Sequence, residues 1–122
     1  MGGSFRDLNI WKKGYELLMK VYRLTKKYPP EEKFGLIEQT RRSANSVIAN
    51  IAESHGRFYF ADKARVLYQA RGEVEETRSH LTVAYGQKYI SEKELTELDK
   101  DYEGLFRGIS SYVESLKKQK LS

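Results

Sequence analysis

A chain of 122 residues, 39% hydrophobic and without cysteine, can bury one core as a single domain, and neither a disulfide framework nor thiol catalysis is open to it. The formal charge of +5, from 22 Lys/Arg against 17 Asp/Glu, permits binding to a polyanion without requiring it. No apolar run approaches the roughly 20 residues that span a bilayer, and residues 1–6 lack a signal-peptide core, so they read as a disordered leader on a cytoplasmic protein.

The first helix is predicted to start at Asp7 as N-cap and to run to about Tyr28, where Pro29-Pro30 stops it. It carries two apolar stripes. One is Ile10, Leu17, Val21, Leu24 and Tyr28, with Gly14 in its gap; the other is Trp11, Tyr15, Leu18, Tyr22 and Thr25. Together they make a face wider than one neighbouring helix needs, which calls for two neighbours or a second subunit.

The second helix spans about Leu36 to Ser54 on the stripe Ile37, Thr40, Ala44, Val47, Ile48 and Ile51, and Gly56 is expected as its left-handed cap. From Arg42 to Arg57 small residues dominate, so a neighbouring backbone can come close, and the few polar groups there must find partners. The third helix covers about Ala61 to Lys88, with Ala64, Leu67, Ala70 or Arg71, Val74, Arg78, Leu81 and Tyr85 on one side. Ser91 and Glu94 form a capping box for the fourth, whose seam is Leu95, Leu98, Tyr102, Leu105, Ile109, Tyr112 and Leu116. Four such helices with short connections predict an all-α, antiparallel up-down-up-down four-helix bundle over residues 7–119, with 120–122 as a tail.

Charge is uneven. Arg6 to Lys27 holds seven Lys/Arg and two acids, whereas Glu92 to Glu114 holds seven acids and three bases. The first helix therefore presents Lys12, Lys13, Lys20, Arg23, Lys26 and Lys27, either to phosphates, with steep salt dependence, or as a solvated face pairing with the acidic fourth helix of a neighbour. Arg41, Arg42, Arg57, Arg65, Arg71 and Arg78 form a second group. They read as a structural ion-pair network, in which a half-buried arginine takes Glu53 or Glu76 as its carboxylate, or as arginines lining a channel in an oligomer.

Catalysis and metal binding find little support. Asn50 and Glu53 sit one turn apart with no histidine or second acid at a useful spacing, and Glu76 with His80 alone is a weak pair, so no metal or other cofactor is expected. Of nine tyrosines, those on the stripes read as core with the hydroxyl reaching water, and exposed ones could stack on bases.

The motifs Leu8 and Trp11, Leu36 with Gln39, Arg42-Ser43 leading to Ser46, Asn50-Ile51-Ala52-Glu53, Gly56-Arg57, Tyr68, Ala70-Arg71-Gly72, Glu76 and Tyr89-Ile90 run in order along nearly the whole chain. In this the chain resembles the four-helix-bundle family that includes the 23S rRNA-intervening-sequence proteins, with a related branch of accessory variability proteins of diversity-generating retroelements. Two positions depart from the pattern: Ser54 stands where the family usually has glycine, and Glu73 where a small residue is usual. The resemblance implies a ring-shaped homo-oligomer, a homopentamer, and an RNA- or reverse-transcriptase-binding role. On that footing the expected protein is a non-enzymatic scaffold that binds RNA through the basic first helix and channel arginines. Trp11, Asn50, Glu53, Arg71 and Glu76 would then hold the bundle and its interfaces. The alternative is a protein-interaction module with no nucleic-acid role.

Overall fold

The computed structural model describes residues 3–121. Predictions for residues 1, 2 and 122 lie outside the described residues. A 3-10 turn at Phe5–Asp7 precedes four helices: α1 (Asn9–Thr25), α2 (Leu36–Gly56), α3 (Phe60–Gly86) and α4 (Glu92–Leu121). A second 3-10 turn, Pro30–Glu32, lies between α1 and α2. Consecutive helices pack side by side and α4 closes back on α1, which makes the predicted four-helix bundle.

Several predicted boundaries need correction. Asp7 does not cap α1; its carboxylate accepts from Ser4 N at 3.1 Å, closing a capping box around the 3-10 turn. From Ser4 onward the expected leader is therefore structured, and the expected tail at 120–121 continues α4. Gly56 is not a left-handed cap either, for it is the last residue of α2, and the chain leaves through an extended Arg57. The left-handed residue is Lys88, with φ of 67°, at the end of α3. There Tyr89 N donates to Ala84 O and Lys88 N to Tyr85 O, both at 2.9 Å, a Schellman ending that needs positive φ at the residue between. The Ser91–Glu94 capping box forms as read, with bonds of 2.9 and 3.1 Å.

The core takes Leu17, Leu18, Val21 and Leu24 from α1, Val47, Ile48 and Ile51 from α2, Leu67, Val74 and Leu81 from α3, and Tyr102, Leu105 and Ile109 from α4, among others. Each fully buried Leu or Ile contributes about 1.5–3 kcal/mol. Gly14 lets α1 and α2 approach, since a Cβ there would stand 2.5 Å from Ile48 Cγ2. The second stripe of α1 is only partly covered: Tyr15 and Tyr22 are exposed, because α2, α4 and the short Phe5–Asp7 turn are the elements that flank α1 among the described residues.

Small polar residues are buried without cost to the packing because they bond to their own helix. Thr25 donates to Val21 O at 2.8 Å, Thr40 to Leu36 O at 2.6 Å and Ser54 to Ile51 O at 2.7 Å. Ser54, one of the two unusual residues, thus stays inside α2, which runs on to Gly56 rather than ending there. Two tyrosines break the expectation of a wetted hydroxyl. Tyr28 and Tyr102 have buried hydroxyls without a partner among the described residues. Burial, with Glu94 nearby, pushes the Tyr28 phenol up to about 12, and burial alone raises that of Tyr102.

Candidate nucleic-acid interface

The loop that follows α1 is fixed by one carboxylate. Glu32 Oε1 accepts from Leu36 N at 3.0 Å, capping α2, and Oε2 accepts from the Tyr89 hydroxyl at 2.9 Å. The backbone donor first, and Tyr89 second, hold Glu32 below the usual carboxylate range. This anchor sets the position of Lys33 and Phe34. Phe34 is 78% exposed, and Lys33 Nζ lies 5.3 Å from the centre of its ring.

Across from that loop, Arg41 of α2 reaches back to α1. Its Nε donates to Thr25 Oγ1 at 2.8 Å, Nη2 donates to Tyr22 O at 3.4 Å, and the guanidinium lies 4.6 Å above the Tyr22 ring. A cation over the last turn of α1 also complements that helix's negative end. The result is a shallow groove of about 390 Å³ lined by Tyr22, Lys33, Phe34, Arg41, Arg42 and Asn45. Ile37 and Glu38 complete its wall. Aromatic faces interleaved with cations are the arrangement that holds a single strand, with bases on rings and phosphates on cations.

The cations of α1 are distributed otherwise than predicted. Lys13 and Lys20 approach Asp101 at 3.9 and 3.6 Å, and Lys27 bonds Glu94 at 2.6 Å. The acidic fourth helix they meet belongs to the same chain, not to a neighbour. Lys27 holds the Glu94 carboxyl below its ordinary range. Arg23 joins Lys20 and Lys27 in a cleft whose other wall is acidic, with Glu94, Glu97 and Asp101. Lys12, Lys26 and Arg65 are exposed.

The arginines of the second group divide too. Arg42 spans α2 and α3 to Glu76, with Glu73 at 3.7 Å, and His80 Nε2 lies 3.2 Å from the same Glu76 oxygen. Arg57 pairs with Glu53 one turn back, and Asn50 is half-buried. Arg78 bonds Asp99 at 2.8 Å and Glu75 at 3.0 Å, bonds that raise its pKa against the opposing effect of burial. Arg71 corrects the prediction that it takes Glu53 or Glu76. Its guanidinium lies 4.6 Å from the Tyr68 ring and 4.9 Å from the Phe106 ring, and Nη1 donates to Ser110 at 3.0 Å. Aromatic faces replace the carboxylate as its counter-surface. Trp11 stacks on Tyr15 at 5.3 Å and meets the edge of Phe5 at 5.2 Å.

The sequence reading found Arg41 and Arg42 but missed Lys33, Phe34 and Asn45, which lie in or beside the groove. The signal available was a Lys-Phe pair next to Pro29-Pro30, outside any helical period and so without a core to explain the phenylalanine. Among the described residues no group of three or more His, Cys, Asp or Glu could hold a metal ion, and no helix is long and apolar enough to cross a membrane.

Comparison with known proteins adds three findings. A family model described as 23S rRNA-intervening sequence protein matches residues 6–111. A crystal structure of a protein of unknown function from the S23 ribosomal protein family of Bacteroides thetaiotaomicron superposes with a TM-score of 0.79 at 25% identity, over 86% of this chain and 95% of that one. No curated protein matches the sequence.

Proposed function

The chain belongs to the 23S rRNA-intervening sequence protein family, and we propose that it is a non-enzymatic, cytoplasmic scaffold that binds single-stranded RNA in the groove between α1 and α2. One observation carries this reading: Arg41 is held over Tyr22 beside the exposed Phe34, so that a cation and two aromatic faces are in place before any ligand arrives. Preorganised groups lose less freedom on binding. Arg41, Lys33 and Lys26 supply phosphate contacts, and Phe34 and Tyr22 supply stacking surfaces. The α1–α4 cations contribute little, because they are neutralised within the chain.

The scaffold assembles as a ring-shaped homopentamer, in which symmetry multiplies modest contacts along one strand. A reverse transcriptase is a further partner in this reading. The exposed Tyr15 and Tyr68 and the partly covered second stripe of α1 support assembly.

The test is binding of a labelled single-stranded RNA at two salt concentrations. Three phosphate contacts give a slope of about −2 in log K against log salt, so raising salt fourfold weakens binding roughly fifteen-fold. Arg41→Ala lowers affinity at low salt and flattens that slope. No binding at low ionic strength removes the RNA reading.

A second reading is a protein-interaction module. Phe58 and Tyr59, 85% and 67% exposed in the α2–α3 connection, favour it, since their rings meet edge to face at 5.0 Å with little else covering them. If Phe58→Ser changes the sedimentation of the protein while RNA binding is absent, this second reading replaces the first.

A further inference from the structure

The RNA groove contains one group that opposes phosphate. Glu38 lies on its wall, exposed, with no hydrogen-bond or ion-pair partner among the described residues. Carboxylates repel a polyanion at every sequence, so Glu38 lowers non-specific affinity.

Two ordinary roles for this residue are already filled by others. As third residue of α2, Glu38 stands where a capping box would turn its carboxylate back to the helix entrance. Glu32 does that instead, through its bond to Leu36 N, and Gly35 N donates to Glu32 O at 3.0 Å. Arg42, four residues on, is the natural ion-pair partner on the same helix face. It turns away to Glu73 and Glu76 of α3. Glu38 is thus left as an acceptor-only group beside the aromatic Phe34 and the apolar Ile37.

From this geometry we infer that the groove recognises a guanine base, stacked against Phe34, with Glu38 as the residue that reads it. The inference rests on the RNA reading of the groove. Two carboxylate oxygens bond best to two adjacent donors on one edge. Guanine offers such a pair, N1–H beside the exocyclic N2 amino group. Adenine and cytosine each present a single amino group next to an acceptor, and uracil presents only N3–H. Single-stranded RNA leaves that edge open, whereas a duplex occupies it.

The experiment measures fluorescence anisotropy at low salt with labelled uridine strands about ten nucleotides long. One central position carries guanine, adenine, cytosine, uracil or hypoxanthine. The guanine strand binds about tenfold more tightly than the all-uridine parent. The hypoxanthine strand, which keeps N1–H but lacks the 2-amino group, loses most of that preference. Glu38→Gln abolishes the preference while the parent strand binds as well as before or better, because a negative charge has gone. Equal affinities for all five strands in the wild type, or a guanine preference that survives Glu38→Gln, overturns the inference. Circular dichroism of Glu38→Gln checks that the helix is intact. If the wild type does not bind even the parent strand, the RNA reading itself falls, and this inference with it; binding without base preference sinks the inference alone. Guanosine monophosphate as competitor separates the sources of the base. Weaker displacement than by the unlabelled guanine strand supports a base on a strand, and equal displacement overturns the strand in favour of a free nucleotide.

Discussion

Ser43 Oγ and Thr77 Oγ1 lie 2.7 Å apart, both fully buried, and join the middle of α2 to the middle of α3. Each hydroxyl also reaches a carbonyl of its own helix, Thr40 O at 3.2 Å and Glu73 O at 2.9 Å. Immediately outside them Arg42 clamps the same two helices through Glu76. A motif that reads in the sequence as Arg-Ser is therefore a two-level clasp, ionic at the rim and hydroxylic within.

Removing one hydroxyl of this pair is expected to cost about 1 kcal/mol, because its partner keeps a carbonyl on its own helix. Thr77→Val and Ser43→Ala should each lower the urea midpoint by a similar amount. The double variant should cost less than the sum of the two, since the second change removes a group already deprived of its partner. Strict additivity in urea titrations would mean that the two hydroxyls do not interact.

Adding one methyl group should have opposite effects at two glycines. In an open helix position Gly→Ala gains about 1 kcal/mol, and Gly72 is exposed with nothing within 4 Å of a new Cβ. Gly72→Ala is therefore expected to raise the melting temperature. Gly14→Ala must displace Ile48 Cγ2, 2.5 Å from the new Cβ. Overpacking of that kind costs about 1–3 kcal/mol and outweighs the helix gain. Thermal unfolding of the two variants side by side gives the two signs directly.

Lys88 holds a left-handed conformation that suits glycine. Lys88→Gly should stabilise the protein by about 1 kcal/mol, the relief of strain being partly offset by a freer unfolded chain. The side chain is exposed and has no hydrogen bond or ion pair among the described residues. Chemical denaturation with an unchanged slope and a higher midpoint is the expected result.

Glu73 introduces a dependence on pH. Burial, followed by the neighbouring Glu76, raises its pKa above the usual carboxylate value, against the pull of Arg42. A carboxyl whose pKa is raised on folding contributes stability below its unfolded pKa, and loses it as pH rises through the folded value. At neutral pH the ionised Glu73 is therefore a burden, and Glu73→Gln should raise the melting temperature, with Arg42 still paired to Glu76. Well below the unfolded glutamate value of about 4.3, where both states are protonated, the difference should vanish. A gain that grows on acidification would contradict this account.

Much of the fold was legible because its signals were local. The spacing of Leu98, Tyr102, Leu105 and Ile109 marks the buried seam of α4, and Ser91 with Glu94 marks its start. Pairing across helices was not legible. Nothing in the order of residues says that Arg71 would choose Tyr68 and Phe106 over a carboxylate, or that Lys13 and Lys20 would share Asp101. The α3 ending was misplaced because a lysine, not a glycine, took the left-handed position. The groove escaped in part because Phe34 sits between periodic segments, where a search for helical stripes has no purchase.

The seam between α1 and α4 has a consequence for how the molecule breathes. Those two helices share the least extensive of the four helix-helix contacts, and Lys13, Lys20 and Lys27 tie them through water-facing ion pairs. Concentrated electrolyte loosens such ties far more than it loosens a greasy interior. The amide protons of α1 should accordingly trade with deuterium ahead of those in α2 and α3, and the lead should lengthen in brine.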